Sequence, residues 1–291
     1  FFTRLAKVRD VNIVLLPGQT LDPSGAANPV IDQAITHCET TANRMLLVDP
    51  PAGTELDTAG KVQALSPPTS TYTALYYPWV RIANPFYNRD THPTAPTTLL
   101  AAPSAFAAGI WARTDGTRGV WKAPAGVEAT VRGMAGLEFQ VEDGEQDQLN
   151  PEGVNCLRKL PSYGAVLWGT RTLSTKANPE WRYVPVRRTA LYIESSIYNG
   201  IQWAVFEPND HRLWSSLRAN IGAFMDGLFR AGAFQGQKAS DAYFVRCDRS
   251  TMSQSDLDNG RLVCLIGVAP TKPAEFVIFR IGQWTADASI V

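Results

Sequence analysis

The chain has 291 residues, of which 45% are apolar and 19% are charged, and its 27 basic side chains balance its 27 acidic ones. This length is sufficient for two domains with separate cores. A net charge of zero argues against nucleic acid as the main partner, because phosphate binding requires a basic surface, and it favours association with other protein surfaces. We find no apolar run long enough to cross a bilayer and no signal peptide, so we expect synthesis in a cytoplasm and no membrane insertion.

The first half of the sequence alternates predicted strands and helices. Apolar runs at 11–16 and 45–48 are typical of buried strands, and residues 73–80 are rich in side chains that favour strands. A helix is predicted to begin at Pro29, because proline is tolerated in the first helical turn. Residues 98–114 are predicted to form a further helix. This order is typical of an α/β domain, in which crossover helices connect parallel strands.

The second half combines short strands with two predicted helices. Residues 115–160, which are rich in glycine, proline and acidic side chains, are interpreted as an irregular connection with short strands. One helix is predicted over 189–203 and a second begins at Asp210, a natural N-cap. Apolar residues recur along this second helix with the spacing of an amphipathic helix: Leu213, Leu217, Ile221, Phe224 and Leu228. Strands are predicted at 165–168, 242–247, 262–268 and 275–284.

The cysteines and the short polar motifs indicate neither a metal site nor a cofactor site. The four cysteines, Cys38, Cys156, Cys247 and Cys264, form no Cys-x-x-Cys pair, and we interpret them as buried free thiols. The string DLDNG at 256–260 lacks the later glutamate of a calcium loop. The string at 232–238 lacks the spacing of a phosphate-binding loop. We therefore predict no metal and no cofactor.

Four unusual strings follow one another in a fixed order in the second half of the chain. They are WGTRTL at 168–173, PVRR at 185–188, VFEPND at 205–210 followed by Trp214, and APTKPAEFV at 269–277. Each mixes tryptophan, arginine, glutamate or proline in a way that composition alone rarely generates. None is a catalytic signature, so the pattern favours a structural protein.

In order and spacing, these strings resemble the C-terminal region of contractile tail sheath proteins from bacteriophages and extracellular contractile injection systems. The match runs over 165–284, and the strings at 109–115 and 119–126 resemble the sheath domain that precedes this region. The resemblance implies a truncated subtilisin-like α/β domain over 1–165, whose N-terminal part is expected to be missing. It also implies an α+β sheath C-terminal domain over 166–291, which forms the inner layer that packs on the tail tube.

The resemblance implies a non-enzymatic subunit that polymerises helically, as hexameric rings, around an inner tube. Contraction of this assembly would drive the tube through a target cell envelope. The implied partners are further copies of the chain, the inner tail tube protein and baseplate proteins. The subunit would be made in a bacterial cytoplasm and assembled in a phage tail virion or a contractile injection particle. Extended arms donate strands to neighbouring subunits in this family, and we expect the upstream arm to be absent from this sequence.

Charged and apolar residues within the four strings and the last predicted strand are the candidates for contacts between domains or subunits. The planar guanidinium of arginine suits bidentate pairing with a carboxylate, whereas a solvated pair would contribute little. The candidates are Arg171, Arg187, Arg188, Glu207, Asp210, Glu275, Phe276, Ile278 and Arg280. We expect charge reversal at Arg187 and Arg188 to impair assembly more than folding.

A serine hydrolase is the competing class, because the implied subtilisin-like architecture also occurs in proteases. A Ser-His-Asp triad requires a histidine beside the nucleophile. The three histidines are His37, His92 and His211. His37 is predicted in the middle of a helix and not in a glycine-flanked catalytic turn, and His92 lies in a proline-rich loop with no obvious aspartate partner beyond Asp90. Ser104 lies about where a nucleophile would, but alanine and proline replace the expected Gly-Thr before it. A monomeric glycan-binding module with surface tryptophans is a further alternative.

Overall fold

The computed structural model describes residues 1–276. In chain order the α-helices of this range are α1 (Phe2–Leu5), α2 (Pro29–Thr41), α3 (Ala59–Ala64), α4 (Pro103–Arg118), α5 (Asp143–Leu149), α6 (Val184–Gly200), α7 (His211–Arg230), α8 (Ala239–Ala242) and α9 (Gln254–Asp258). The strands are β1 (Ile13–Leu15), β2 (Met45–Val48), β3 (Thr73–Tyr77), β4 (Val80–Ala83), β5 (Thr98–Ala101), β6 (Gly136–Leu137), β7 (Val154–Leu160), β8 (Gly164–Trp168), β9 (Tyr243–Arg246) and β10 (Leu265–Val268).

A five-stranded sheet in the order β1-β2-β3-β7-β8 forms the centre of the first part of the chain. Its first four strands are parallel, and β8 runs antiparallel to β7. Successive side chains of β2 enter opposite apolar clusters, Leu46 on one face and Leu47 on the other. Helix α2 covers the first face, and α4 covers the second together with the beginning of α6. Burial on both faces explains why β2 and β3 are continuous apolar runs.

Most of the elements predicted in the first half are present, but the strand predicted at 73–80 is shorter, because β3 ends at Tyr77 and β4 begins at Val80. Helix α2 begins at Pro29 as predicted, and the side chain of Asn28 accepts a hydrogen bond from the Val30 amide. The prediction of a helix over 98–114 is wrong at both ends, because residues 98–101 form β5 and the helix runs from Pro103 to Arg118. Strand β5 pairs with β4, and the residue before a proline is biased towards extended backbone, which separates the strand from the helix.

The stretch predicted to be irregular, 115–160, contains helix α5 and the strand β7. Strand β7 lies inside the sheet, between β3 and β8. Short strands were expected in this stretch, but the position of β7 was not predicted, because Arg158 and Lys159 interrupt its apolar run. The expected boundary between residues 165 and 166 falls within β8, which pairs with β7 in the first sheet.

The second part consists of α6, α7 and an antiparallel ribbon formed by β9 and β10. Helix α6 begins five residues earlier than predicted, at Val184. Helix α7 begins after Asp210 and buries the predicted stripe except for Phe224, which is half-buried. Glu275 and Phe276 are not in a strand, and the remainder of the strand predicted at 275–284 lies outside the described residues. Within residues 1–276, no helix combines the length and apolar character needed to cross a bilayer.

Candidate functional site

The WGTRTL string forms a turn that is held against strand β7 by one buried side chain. Asn155 accepts a hydrogen bond from the Arg171 amide at 2.6 Å, and its own amide group donates to the Arg171 carbonyl at 2.8 Å. The backbone approaches so closely that a Cβ atom at Gly169 would lie 2.7 Å from the Cα of Asn155. The glycine therefore permits the turn, and the turn places the Arg171 side chain.

Arg171 forms a buried, bidentate ion pair with Glu275. Its Nε donates to Oε1 at 2.8 Å and its Nη2 donates to Oε2 at 2.6 Å. The side chains are only 8% and 14% exposed. Nη1 donates to the Asn150 carbonyl at 3.2 Å, so the guanidinium has partners on several sides. This pair connects the turn after β8 with the segment after β10, which are 104 residues apart in sequence.

The Glu275 carboxylate accepts hydrogen bonds from two further groups. The Asn150 amide donates to Oε1 at 2.7 Å, and the Tyr183 hydroxyl donates to Oε2 at 3.0 Å. Burial alone would raise the pKa of Glu275, but the hydrogen bonds and the charge of Arg171 hold this pKa below its ordinary value. Burial and the neighbouring carboxylate raise the pKa of Tyr183. Glu275 is therefore charged at neutral pH and holds the segment before residue 277 in place.

A second bidentate pair joins helix α6 to helix α4. Arg188 donates to the two carboxylate oxygens of Asp115 at 2.8 and 2.5 Å. Its guanidinium lies 4.5 Å from the centre of the Trp111 ring, and the Trp111 indole donates to the Tyr76 hydroxyl at 2.9 Å. The Arg188 side chain is 6% exposed and the Asp115 side chain is 30% exposed, so Arg188 is buried and the pair lies at the edge of the core between α6 and the sheet.

Arg187 packs between aromatic rings instead of pairing with an acid. Its guanidinium lies 3.6 Å from the centre of the Trp181 ring and 4.5 Å from that of Tyr72. Its Nη2 donates to the Thr71 hydroxyl at 2.8 Å. Burial lowers the pKa of Arg187. Because Arg187 and Arg188 are both buried, our expectation that charge reversal mainly affects assembly is replaced by an expectation that it disrupts the fold.

The remaining candidates have different surroundings. Asp210 caps α7, accepting from the amides of Arg212 and Leu213 at 2.9 and 3.1 Å. Glu207 is exposed, and Phe276 is 66% exposed. Ile278 and Arg280 lie outside the described residues. The structure thus brings Arg171 and Glu275 together, places Arg187 and Arg188 side by side on α6, and leaves Glu207 and Phe276 on the surface. Whether any of these residues contacts a neighbouring subunit stays a prediction.

The sequence analysis missed the polar partners of these arginines and of Glu275. Asp115, Asn150, Asn155 and Tyr183 supply the carboxylate, amide and hydroxyl groups described above. Asn155 offers a sequence signal, since a buried polar side chain within an apolar strand must find hydrogen-bond partners. Asp115 ends the 109–115 string that contributes to the family resemblance. Neither signal identifies which arginine is the partner.

Ser104 is hydrogen-bonded to the carboxylate of Asp49. Its hydroxyl donates to Asp49 at 2.6 Å and its amide donates to the same side chain at 2.8 Å, so Asp49 caps the beginning of α4. Burial raises the pKa of Asp49 to about 6, although the hydrogen bonds from Ser104 oppose that shift.

The three histidines, all within the described residues, have other partners. His37 contacts Arg44, His92 contacts Thr91, and His211 packs on Trp214. The Asp49–Ser104 hydrogen bonds therefore hold the beginning of α4 and do not activate Ser104 as a nucleophile. Across residues 1–276 no group of three or more His, Cys, Asp and Glu side chains is arranged to hold a metal ion.

Comparison with known families identifies the class of protein. The family described as the phage tail sheath protein central domain matches residues 3–173, and the phage tail sheath C-terminal domain matches residues 176–283. The chain belongs to the phage tail sheath family. This family is structural rather than enzymatic, so the family and the non-enzymatic class inferred from the four strings are both confirmed.

Individual relatives come from phages, prophages and injection systems. The chain is 30% identical over 196 residues to a putative prophage major tail sheath protein of Pseudomonas aeruginosa, covering 64% of this chain and 48% of that protein. It is 26% identical over 182 residues to the tail sheath protein of Vibrio phage KVP40, covering 62% of this chain and 26% of the relative. The chain therefore spans between about a quarter and a half of the length of these relatives.

Solved sheath structures share the fold over nearly the whole chain. The sheath complex of an extracellular contractile injection system, PVC, in its contracted state is 32% identical with a TM-score of 0.79, covering 97% of this chain and 74% of that one. The contracted helical sheath of the anti-feeding prophage is 31% identical with a TM-score of 0.74, covering 96% and 72%. The mixed α/β class predicted from the sequence is thus confirmed.

Proposed function

We propose that this chain acts in a contractile tail sheath, where copies assemble helically around an inner tube and shorten to drive that tube through a target envelope. The observation that carries this proposal is the match over 97% of the chain to a sheath complex in its contracted state. The match includes both parts of this chain, so the similarity is not limited to the first sheet.

Two buried ion pairs support a subunit that moves as one body. Arg171–Glu275 joins the first sheet to the segment after β10, and Arg188–Asp115 joins α6 to α4. Helix α6 also contributes Leu191 to the core of the sheet and Ile193 to the core beneath α7. Contraction of a lattice requires subunits that rotate against one another while each keeps its own shape. These connections provide that internal rigidity.

The ribbon of β9 and β10 is suited to pairing with strands of other subunits. In the described part of the chain it has only two strands, so each presents an unpaired edge. Phe244 and Leu265 on this ribbon are 48% and 50% exposed. An extended segment from a neighbouring copy would add main-chain hydrogen bonds at such an edge. We therefore assign this ribbon to contacts between copies of the chain.

Exposed apolar residues near the VFEPND string form a second surface for contacts between copies. Val205 and Phe206 are 56% and 102% exposed, and Trp203 is 45% exposed. Phe206 also has φ of 71°, a left-handed conformation that is unusual for a bulky residue. Strained, exposed apolar residues favour a contact site over a solvated loop. Glu207, which follows Phe206 in the chain and is exposed, is included in this surface, whereas Phe276 is proposed as a separate contact.

The same proposal extends to the two domains of the chain and to its binding partners. The parallel arrangement of β1, β2, β3 and β7 supports a subtilisin-like first domain without protease chemistry. The second domain, which begins after β8, would form the layer on the tube. Hexameric rings of this chain, an inner tube protein and baseplate proteins are the partners we propose, in a phage tail or a contractile injection particle made in a bacterium.

Electron microscopy of assembled material tests the proposal. The chain, joined to any sequence that precedes it in its gene, is purified with and without a tube protein and examined in negative stain. Striated tubes that form around the tube protein are the expected result. Monodisperse particles under every condition would contradict the lattice, and saturable binding of a glycan by those particles would favour the binding-module alternative.

A further inference from the structure

Two of the four cysteines, Cys247 and Cys264, are the residues that directly follow β9 and directly precede β10 at one end of the β9–β10 ribbon. The register pairs Arg246 with Leu265, so the next pair along the ribbon is Cys247 and Cys264. At the other end, the Ala269 amide donates to the Ala242 carbonyl at 2.8 Å, which makes that pair a hydrogen-bonded one. Because hydrogen-bonded and non-hydrogen-bonded pairs alternate along an antiparallel ladder, Cys247 and Cys264 form a non-hydrogen-bonded pair.

This position has the backbone spacing that a disulfide requires. Residues in a non-hydrogen-bonded antiparallel pair have Cα atoms about 4.5 Å apart, and disulfides span Cα distances of about 4.4–6.8 Å. The two thiols are near enough for Cys247 to contribute to the raised pKa of Cys264. Both side chains lie in one apolar cluster beneath α7, together with Leu217 and Met252. Because the typical spacing of such a pair lies within the range that disulfides span, we expect the S–S bond to form without rearrangement of the ribbon.

We propose that Cys247 and Cys264 are a redox-active pair that forms an intrachain disulfide with a two-electron oxidant, either a peroxide or another disulfide. The two residues differ in access, because Cys247 is buried and Cys264 is partly exposed. The reaction therefore begins at Cys264, and Cys247 resolves it. The proposal concerns the isolated chain and does not depend on assembly into a sheath.

With hydrogen peroxide the reaction proceeds in two steps. The Cys264 sulfur attacks one oxygen, the O–O bond breaks, and the departing hydroxide combines with the thiol proton to give water, leaving a sulfenic acid. The Cys247 sulfur then displaces the second oxygen, which leaves with a proton as the second water, and the S–S bond forms. Two thiols have lost two electrons, and one peroxide has been reduced to two waters.

The rate of this reaction depends on how much thiolate is present. Burial, followed by the proximity of Cys247, raises the pKa of Cys264 to about 11. Burial also raises the pKa of Cys247. The thiolate is the reactive form, so oxidation is slow at pH 7. As long as the pH is below the pKa, each increase of one pH unit raises the rate about tenfold. The pair is thus a thiol pair during synthesis and becomes a disulfide on long exposure to an oxidising medium.

The disulfide would close a loop around residues 248–263, which include helix α9. Loop closure restricts the unfolded chain, so the oxidised protein should unfold at a higher temperature, by about 5–10 °C. It would also hold the two strands together at the end of the ribbon opposite Ala242 and Ala269. A covalent bond would then join the two strands at one end of the ribbon.

Peptide mapping after oxidation tests the pair. The folded chain is treated with hydrogen peroxide at pH 7 and pH 9, alkylated, and digested with trypsin without reduction. The expected product links the peptide 247–249 to the peptide 262–280 and forms faster at pH 9. A dithiol reductant should reverse the rise in melting temperature. Cys247→Ser and Cys264→Ser should each abolish both effects, while Cys38→Ala should keep them.

Two results would overturn the proposal. One is a folded chain that keeps both thiols free at pH 9 while the urea-unfolded chain oxidises under the same conditions. The other is a link from Cys247 or Cys264 to Cys38 or Cys156, which belong to the core beside α2. The map of the unsubstituted chain decides between these outcomes even where a serine variant folds poorly.

Discussion

Arg171 and Glu275 are held in a buried bidentate pair with N–O distances of 2.8 and 2.6 Å, although they are 104 residues apart in sequence. Each contributes to a different family domain, since the central-domain match ends at residue 173 and the C-terminal-domain match begins at residue 176. The pair is therefore a direct connection between the two halves of a sheath subunit, and its strength can be measured.

Replacing Glu275 by glutamine should destabilise the chain by about 2–4 kcal/mol. The change leaves the Arg171 guanidinium buried without its counter-charge, and removing one partner of a buried pair is costly. The free energy of unfolding in urea measures the effect. Glu207→Gln is the matched control, because Glu207 is exposed and should change stability by less than about 0.5 kcal/mol. If both substitutions changed the free energy of unfolding equally, the Arg171–Glu275 pair would contribute nothing to stability.

Stability should depend on pH through Asp49. Its folded pKa of about 6 lies above its ordinary value of 3.8, so the folded chain binds more protons than the unfolded chain between these values. Stability contributed by this group is therefore full below pH 3.8 and is lost as pH rises to about 6, by up to roughly 3 kcal/mol.

The Asp49→Asn variant isolates this contribution. Asparagine keeps an oxygen that can accept from the Ser104 amide but carries no charge that must be buried. We expect its free energy of unfolding to exceed that of the parent at pH 7 and to approach it at pH 4. Urea titrations at several pH values measure this difference. A constant difference between the two proteins across that range would argue against the raised pKa.

Gly169→Ala should destabilise the chain by about 2 kcal/mol or more, because the new methyl group would meet the backbone of Asn155 at 2.7 Å. Gly222→Ala is the matched control. It adds the same methyl group to helix α7, where nothing lies within 4 Å, and should stabilise by about 0.5–1 kcal/mol. Urea unfolding of both variants compares them directly. If Gly169→Ala did not lose stability, the turn that contains Gly169 could move away from β7.

Phe206→Asn should separate assembly from folding. The side chain is 102% exposed and the backbone has φ of 71°, which asparagine tolerates, so monomer stability should change by less than about 0.5 kcal/mol. If neighbouring copies pack on this surface, tube formation should decrease severalfold, as counted by electron microscopy. Phe86→Asn, at another exposed phenylalanine, should leave tube yield unchanged. Normal tubes from both variants would remove Phe206 from the contact surface.

Much of the local structure was predictable because its causes are local. Proline in the first turn marks the beginning of α2, and the Asp210 side chain caps the first amides of α7. Residues 98–101 were assigned incorrectly for the opposite reason. Their strand is defined by hydrogen bonds to β4, a partner that the local pattern of apolar residues does not reveal.

By itself the sequence determined the family, through strings whose order and spacing are specific, and the apolar periodicity that marks α7 and the buried strands. Only the tertiary structure decided which charges meet. Arg171 pairs with Glu275, Arg188 with Asp115, and Arg187 with aromatic rings. Capping and periodicity act within a few residues, whereas a buried charge is stabilised by whichever partner the folded chain brings within about 3 Å, and that partner can lie anywhere along the sequence.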